Sequence, residues 1–132
     1  MPKTRITGVE ILDGSIQRVD LDTTTTGAGG TVTQATSRTT GVTLSKLTGR
    51  ITLFSTSLAS NNSQSFVLTN TFIAATDCVI VQHISAGTLG LYSITVTPAA
   101  GSCTITVRNN TNSGSPTEAP VLQFVVLKAV TA

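Results

Sequence analysis

From Thr31 onward, apolar and polar residues alternate with a period of two in one short run after another. The stretch Gly49-Arg50-Ile51-Thr52-Leu53-Phe54 places Ile51 and Leu53 on one face. Gln64-Ser65-Phe66-Val67-Leu68-Thr69-Asn70 turns Phe66 and Leu68 the same way, and Ser102–Arg108 does so with Cys103, Ile105 and Val107. Leu91–Thr97 alternates as well, and Thr31–Thr36 and Gly41–Leu44 add two shorter segments. This period is that of a half-buried strand. Two runs break the pattern. Cys78-Val79-Ile80-Val81-Gln82-His83-Ile84 and Val121-Leu122-Gln123-Phe124-Val125-Val126-Leu127 are nearly unbroken in their apolar character. The first reads as a central strand buried on both faces, and the second as a strongly apolar closing strand.

Turn-rich stretches separate these runs: Leu58–Ser63, Ser85–Gly90, Pro98–Gly101 and a polar loop over Asn109–Pro120. The segment Asn70–Asp77 is a connector with room for one short helical turn. The sum is about eight short strands with turns every 8–14 residues. The expected fold is all-β, an antiparallel two-sheet sandwich of jelly-roll type over residues 31–132. An immunoglobulin-like sandwich is the runner-up, weakened by the absence of Trp and of the usual inter-sheet Cys spacing.

Residues 1–30 read differently. Ile6, Val9, Ile11, Leu12, Ile16, Val19 and Leu21 are spaced among polar residues, and Thr23–Gly30 is a Thr/Gly-rich connector. That is too little apolar surface to fold alone but enough to dock. These seven residues are the candidate partner-binding positions of an extended N-terminal arm, with a disordered tail as the alternative.

Composition changes the picture in one respect. Thr makes up about a fifth of the chain and Gly contributes 11 residues, while Glu (two) and Lys (three) are scarce, which suits strands better than helices. Charged residues are only 11% against roughly 25% in ordinary soluble domains. The mean hydropathy is +0.28. Two explanations stay open: a partner covers part of the surface, or the outer faces carry Thr and Ser in place of charges.

The net charge of +2 is weak, the five Arg are scattered, and aromatics are 4%, so neither a basic patch nor a stacking platform for nucleic acid is expected. No apolar run approaches the ~18 residues of a membrane span. Met1–Arg5 leads into mixed polar sequence, which gives the expectation of a protein made in a cytosol. There, Cys78 and Cys103 are expected as two buried free thiols, with a disulfide between neighbouring strands as the alternative.

Candidate chemistry is sparse. His83, the one His, ends the most apolar strand and reads as a structural, hydrogen-bonded residue. Four of the six carboxylates (Glu10, Asp13, Asp20, Asp22) lie in the arm, leaving Asp77 and Glu118 beside loops of the sandwich. That is poor material for paired-carboxylate chemistry. No Gly-x-Ser-x-Gly elbow, phosphate loop or zinc-ligand spacing is present. No catalytic residue, metal or cofactor is expected.

Several stretches together resemble a β module of tailed-bacteriophage virion proteins. They are Gly30–Gln34, Thr40–Lys46, Thr48–Thr52, Phe66–Asn70, Ile73–Asp77 and Ile105–Asn109, preceded by Ile11-Leu12-Asp13-Gly14-Ser15-Ile16 with Asp20-Leu21. The resemblance covers roughly residues 30–127. It implies a trimeric jelly roll on the outer capsid surface of a virion, produced in the cytoplasm of a bacterial host. Such a protein decorates and stabilises the shell as a homotrimer in contact with the major capsid protein. A fibre or spike tip that binds a host receptor or glycan is the alternative, through loop residues such as Asn61, Asn62, Tyr92, Asn110 and Asn112.

Overall fold

The structure is a computed structural model that describes residues 29–129; the arm positions Ile6–Leu21 lie outside the described residues. All eight anticipated strands are present: β1 (Thr31–Thr33), β2 (Val42–Thr43), β3 (Thr48–Thr52), β5 (Ser63–Thr69), β6 (Cys78–Ser85), β7 (Tyr92–Ala99), β8 (Ser102–Asn109) and β10 (Val121–Leu127). Two dipeptide strands join them, β4 (Thr56–Ser57) and β9 (Thr117–Glu118), which pair only with each other. No helix occurs among the described residues, so the Asn70–Asp77 connector is built from turns alone.

The strands form two four-stranded sheets packed face to face, a β-sandwich. Sheet A runs β1-β3-β10-β6 and sheet B runs β2-β5-β8-β7. Among the six long strands, four of the five connections cross from one sheet to the other, and only β7–β8 is a hairpin. The late strands return to the middle: β8 lies between β5 and β7, and β10 between β3 and β6. This inward winding is the swirl of a jelly roll. The sheets are not purely antiparallel, however. β1 pairs parallel with β3, and β2 parallel with β5. Because the chain steps from sheet to sheet through β1, β2, β3 and β5, with β4 outside both main sheets, every second strand comes to lie beside the last one of its sheet in the same direction.

Alternation decides which residues face inward. Ile51, Leu53, Phe66, Leu68, Cys103, Ile105, Val107, Leu122, Phe124 and Val126 all point into the space between the sheets and are buried. Each fully buried aliphatic side chain contributes about 1.5–3 kcal/mol. Gly49 is fixed by this packing: a Cβ there would lie 2.7 Å from Leu44 Cδ2 and 2.8 Å from Phe124 Cε1.

β6 departs from expectation. It is an edge strand, not a central one, and its outward side is open: Cys78 and Ile80 are exposed and Val79 is buried. The two thiols therefore differ, with Cys78 outward on sheet A, Cys103 inward on sheet B, and both free.

Candidate functional site

A concentration of polar chemistry in the sandwich surrounds Tyr92. It begins with Gln34, whose Nε2 donates to the carbonyls of Arg38 (3.0 Å) and Thr40 (2.8 Å) and whose Oε1 accepts the Phe54 N–H (3.0 Å). This folds the loop after β1 so that Arg38 points inward, only 1% exposed. Arg38 Nη2 donates to the carbonyls of Thr56 (2.7 Å) and Glu118 (2.6 Å), which binds the β4–β9 ribbon to the body. The guanidinium lies 5.9 Å from the centre of the Tyr92 ring, within cation–π range. Its Nε and Nη1 are buried without a partner.

Glu118 is the hub on the other side. Its carboxylate accepts the Thr88 hydroxyl (2.6 Å), the Thr88 N–H (3.0 Å) and the Tyr92 hydroxyl (2.8 Å). The Thr88 hydroxyl bond is the main reason its carboxyl sits below the ordinary value. Tyr92 is pushed up to about 12, first by burial and then by the hydrogen bond its hydroxyl donates to the negative Glu118. Glu118 also packs under the loop after β6. Gly87 has φ +68°, and a Cβ there would meet Glu118 Oε2 at 2.8 Å. His83 closes the cluster, its ring edge-on to Tyr92 at 5.9 Å and 64°. Its Nε2 donates to the carbonyls of Ser85 (3.0 Å) and Ala86 (2.5 Å).

Each of these groups is committed to holding a loop. His83 Nε2 is spent on backbone carbonyls, and Glu118 is held ionised by three donors. The neighbouring depression, about 310 Å³, is lined by Val81, Gln82, His83, Gly90, Tyr92 and Ile94 and has no carboxylate in its wall. Among the described residues no group of three or more metal-ligating side chains is present. Asp77 is likewise a pin. It accepts from the Ala74 N–H (2.7 Å) and Ala129 N–H (3.1 Å) and pairs with Lys128, which above all holds its carboxyl below the ordinary value.

The loop residues expected for a receptor tip divide. Asn61 and Asn112 approach each other at 3.5 Å, Asn110 donates to Ser93 Oγ, and Asn62 Oδ1 caps the Ser63 N–H. Tyr92 does not join them: it is 8% exposed, with its ring in the core and its hydroxyl on Glu118, so it offers no stacking face.

The outer faces of the two sheets are the remaining surfaces, and they are unlike. On sheet B, every outward position of β2, β5, β7 and β8 is Ser or Thr except Val67, Ala99 and Arg108. These side chains pair across strands, as Ser65 does with Thr106 (Oγ to Oγ1, 2.8 Å). On sheet A the β1–β3 half is Thr31, Thr33, Thr48, Arg50 and Thr52. The β10–β6 half is apolar. Leu127 stands opposite Cys78 and Val125 opposite Ile80, with Val121 and Ile84 farther along and Gln123 opposite Gln82. Ile80 and Leu127 are 48% and 49% exposed. Phe72 and Leu47, also exposed, lie near the end of β10, their carbonyls bonded to Lys128 Nζ and the Val126 N–H. The sequence carried the signal for this surface in the loss of alternation over β6 and β10, although it was read as interior burial.

No protein-family model, curated protein or solved structure matches this chain.

Proposed function

We propose that this chain is a non-enzymatic structural subunit that assembles as a homotrimer on the outer capsid surface of a bacteriophage particle. Its copies are joined through the β10–β6 half of the outer face of sheet A. The observation that carries this reading is the contrast between that apolar half-face and the Ser/Thr lattice of sheet B. A contiguous exposed apolar patch on a small domain marks a surface meant to be covered. An eight-residue edge strand with no charge and no Pro beside it is a second invitation to pairing. The particle and the trimer come from the resemblance to phage virion modules carried by the Gly30–Asn109 motifs. A stable contact of about 800 Å² per partner, repeated around a three-fold axis, gains strength from multiplicity. The receptor-tip alternative is less well supported, since its single aromatic, Tyr92, is buried.

The test is addition of the purified full chain to undecorated phage heads, followed by electron microscopy. The reading predicts saturable binding as three-lobed density on the outer shell and greater heat resistance of the heads. Heads that remain bare at saturating protein, or that bind single lobes, would contradict it.

A further inference from the structure

We infer that the N-terminal segment of a neighbouring copy is what covers the apolar half of sheet A, with residues 6–22 seated over β10 and β6 and adding to the free edge of β6. This rests on the reading of that face as a contact between copies and names its occupant. Because the face is a contact between copies, the segment must come from the neighbour; folded back on its own sheet it would cover the face and leave the copies separate.

Four observations support it. The first is the edge. Of the four sheet edges, β1 and β2 have three and two residues and β7 carries Pro98, whereas β6 offers eight residues with neither Pro nor charge. Long bare edges accept a further strand. The second is the groove. Two shallow depressions on the outer face meet at Gln123. One, of about 370 Å³, includes Gly29, Thr48 and Arg50; the other, of about 240 Å³, includes Ile80, Ile84 and Val125.

The third is where the segment joins the sandwich. Gly29 lies against Thr48, which is in register with Val125, itself in register with Ile80. The 28 residues before it thus start level with the apolar row. Crossing the sheet takes three strand spacings, about 14 Å, or about four extended residues. The Thr23–Ala28 connector covers that distance and leaves residues 6–22 free to reach a neighbour. The fourth is complementarity. Residues 29–129 carry Arg38, Lys46, Arg50, Arg108 and Lys128 against Asp77 and Glu118, a net +3. Residues 1–28 carry Glu10, Asp13, Asp20 and Asp22 against Lys3, Arg5 and Arg18, a net −1. The run Val19-Asp20-Leu21-Asp22 has the alternation an added edge strand needs, one side apolar and the other acidic.

Cys78 is a built-in reporter, since it is exposed, free and opposite Leu127 on this face. Cys103 is fully buried, with its thiol pushed up to about 11 by burial, and serves as a silent control for folding. The experiment measures the rate of iodoacetamide alkylation of Cys78 together with the mass in solution, at micromolar concentration and after dilution. It uses the full chain, a full-length Ile16→Ser/Val19→Ser/Leu21→Ser variant, and a conservative Ile16→Val/Val19→Ile/Leu21→Ile variant. The inference predicts that Cys78 reacts about tenfold or more slowly in the full chain than in the Ser variant, as for a site open only a small fraction of the time. The conservative variant keeps the protection, and dilution to single chains removes it.

An oligomer in which the Ser variant is equally protected overturns the occupant and leaves the assembly reading standing. Protection that survives in single chains overturns the exchange between copies. A full chain that is single at micromolar concentration with Cys78 fully reactive overturns the assembly reading and this inference with it.

Discussion

Sheet B and sheet A share one core but differ on the sides they turn away from it. On sheet B, β5, β7 and β8 alternate strictly, so each buried Phe66, Ile105 or Val107 has at least one outward Ser or Thr beside it. Thr suits that role because its β-branched side chain fits a pleated surface while its hydroxyl faces water. On sheet A, β10 and β6 set Leu127, Val125 and Ile80 outward where the same rule would put Thr. The positive mean hydropathy of the chain is therefore not spread evenly. Hydroxyls stand in place of charges on the outer face of sheet B, and exposed apolar side chains stand in their place on half of sheet A. The contrast also teaches that an unbroken apolar strand need not be central: β6 lies at an edge, with Cys78 and Ile80 exposed.

The comparison predicts where substitutions are felt. The largest effects lie in the shared core. Phe124→Ala beneath sheet A is expected to cost about 3–5 kcal/mol and Ile105→Ala beneath sheet B about 2–5 kcal/mol. Denaturant titration checks this; a core equally costly on both sides locates the asymmetry outside it, and a near-neutral result at either site would break the picture of one core. Arg38→Ala comes next, at about 2–4 kcal/mol, because it leaves the Thr56 and Glu118 carbonyls without their charged donor. Its mark in hydrogen exchange is opening of the β4–β9 ribbon before either sheet.

Acid acts on the two pinned carboxylates. Glu118 and Asp77 are held below ordinary values of 4.5 and 3.8, so the stability they supply is complete above those values and is lost as the pH falls through the lower folded ones. The midpoint of thermal unfolding should be flat from pH 7 to about 5 and fall below that. Glu118→Gln should remove part of the fall. The smallest effect is expected on the hydroxyl lattice: Thr106→Ala removes the Ser65 contact on an exposed face and should change stability by about 0.5 kcal/mol or less.

Much of the sandwich was legible because period-two alternation is a local property. Phe66 and Leu68, or Cys103, Ile105 and Val107, announce their inward face without reference to any other strand. Position within a sheet is not local. Nothing in Cys78–Ile84 distinguishes a strand between two neighbours from one at an edge, and so β6 was placed in the middle and Cys78 inside. The parallel pairing of β1 and β2 was hidden for the same reason, since it follows from the order of sheet crossings. The cluster around Tyr92 was missed because Arg38 and Glu118 are far in the chain from His83, Thr88 and Tyr92 and meet them only in the folded sandwich. His83 alone was foreseen as a hydrogen-bonded structural residue, and its bonds to Ser85 and Ala86 are of that kind.

The central claim is that one half-face of sheet A is an interface and the outer face of sheet B is not. Native mass measurement on three full-length chains addresses it most directly: the natural sequence, Ile80→Thr/Leu127→Thr on sheet A, and Thr104→Ser/Thr106→Ser on sheet B. The account predicts three times the 13.6 kDa chain mass for the natural sequence and the sheet B variant, and a single chain for the folded sheet A variant. A natural chain that stays at 13.6 kDa at micromolar concentration, or a sheet A variant that assembles as the natural chain does, would contradict it.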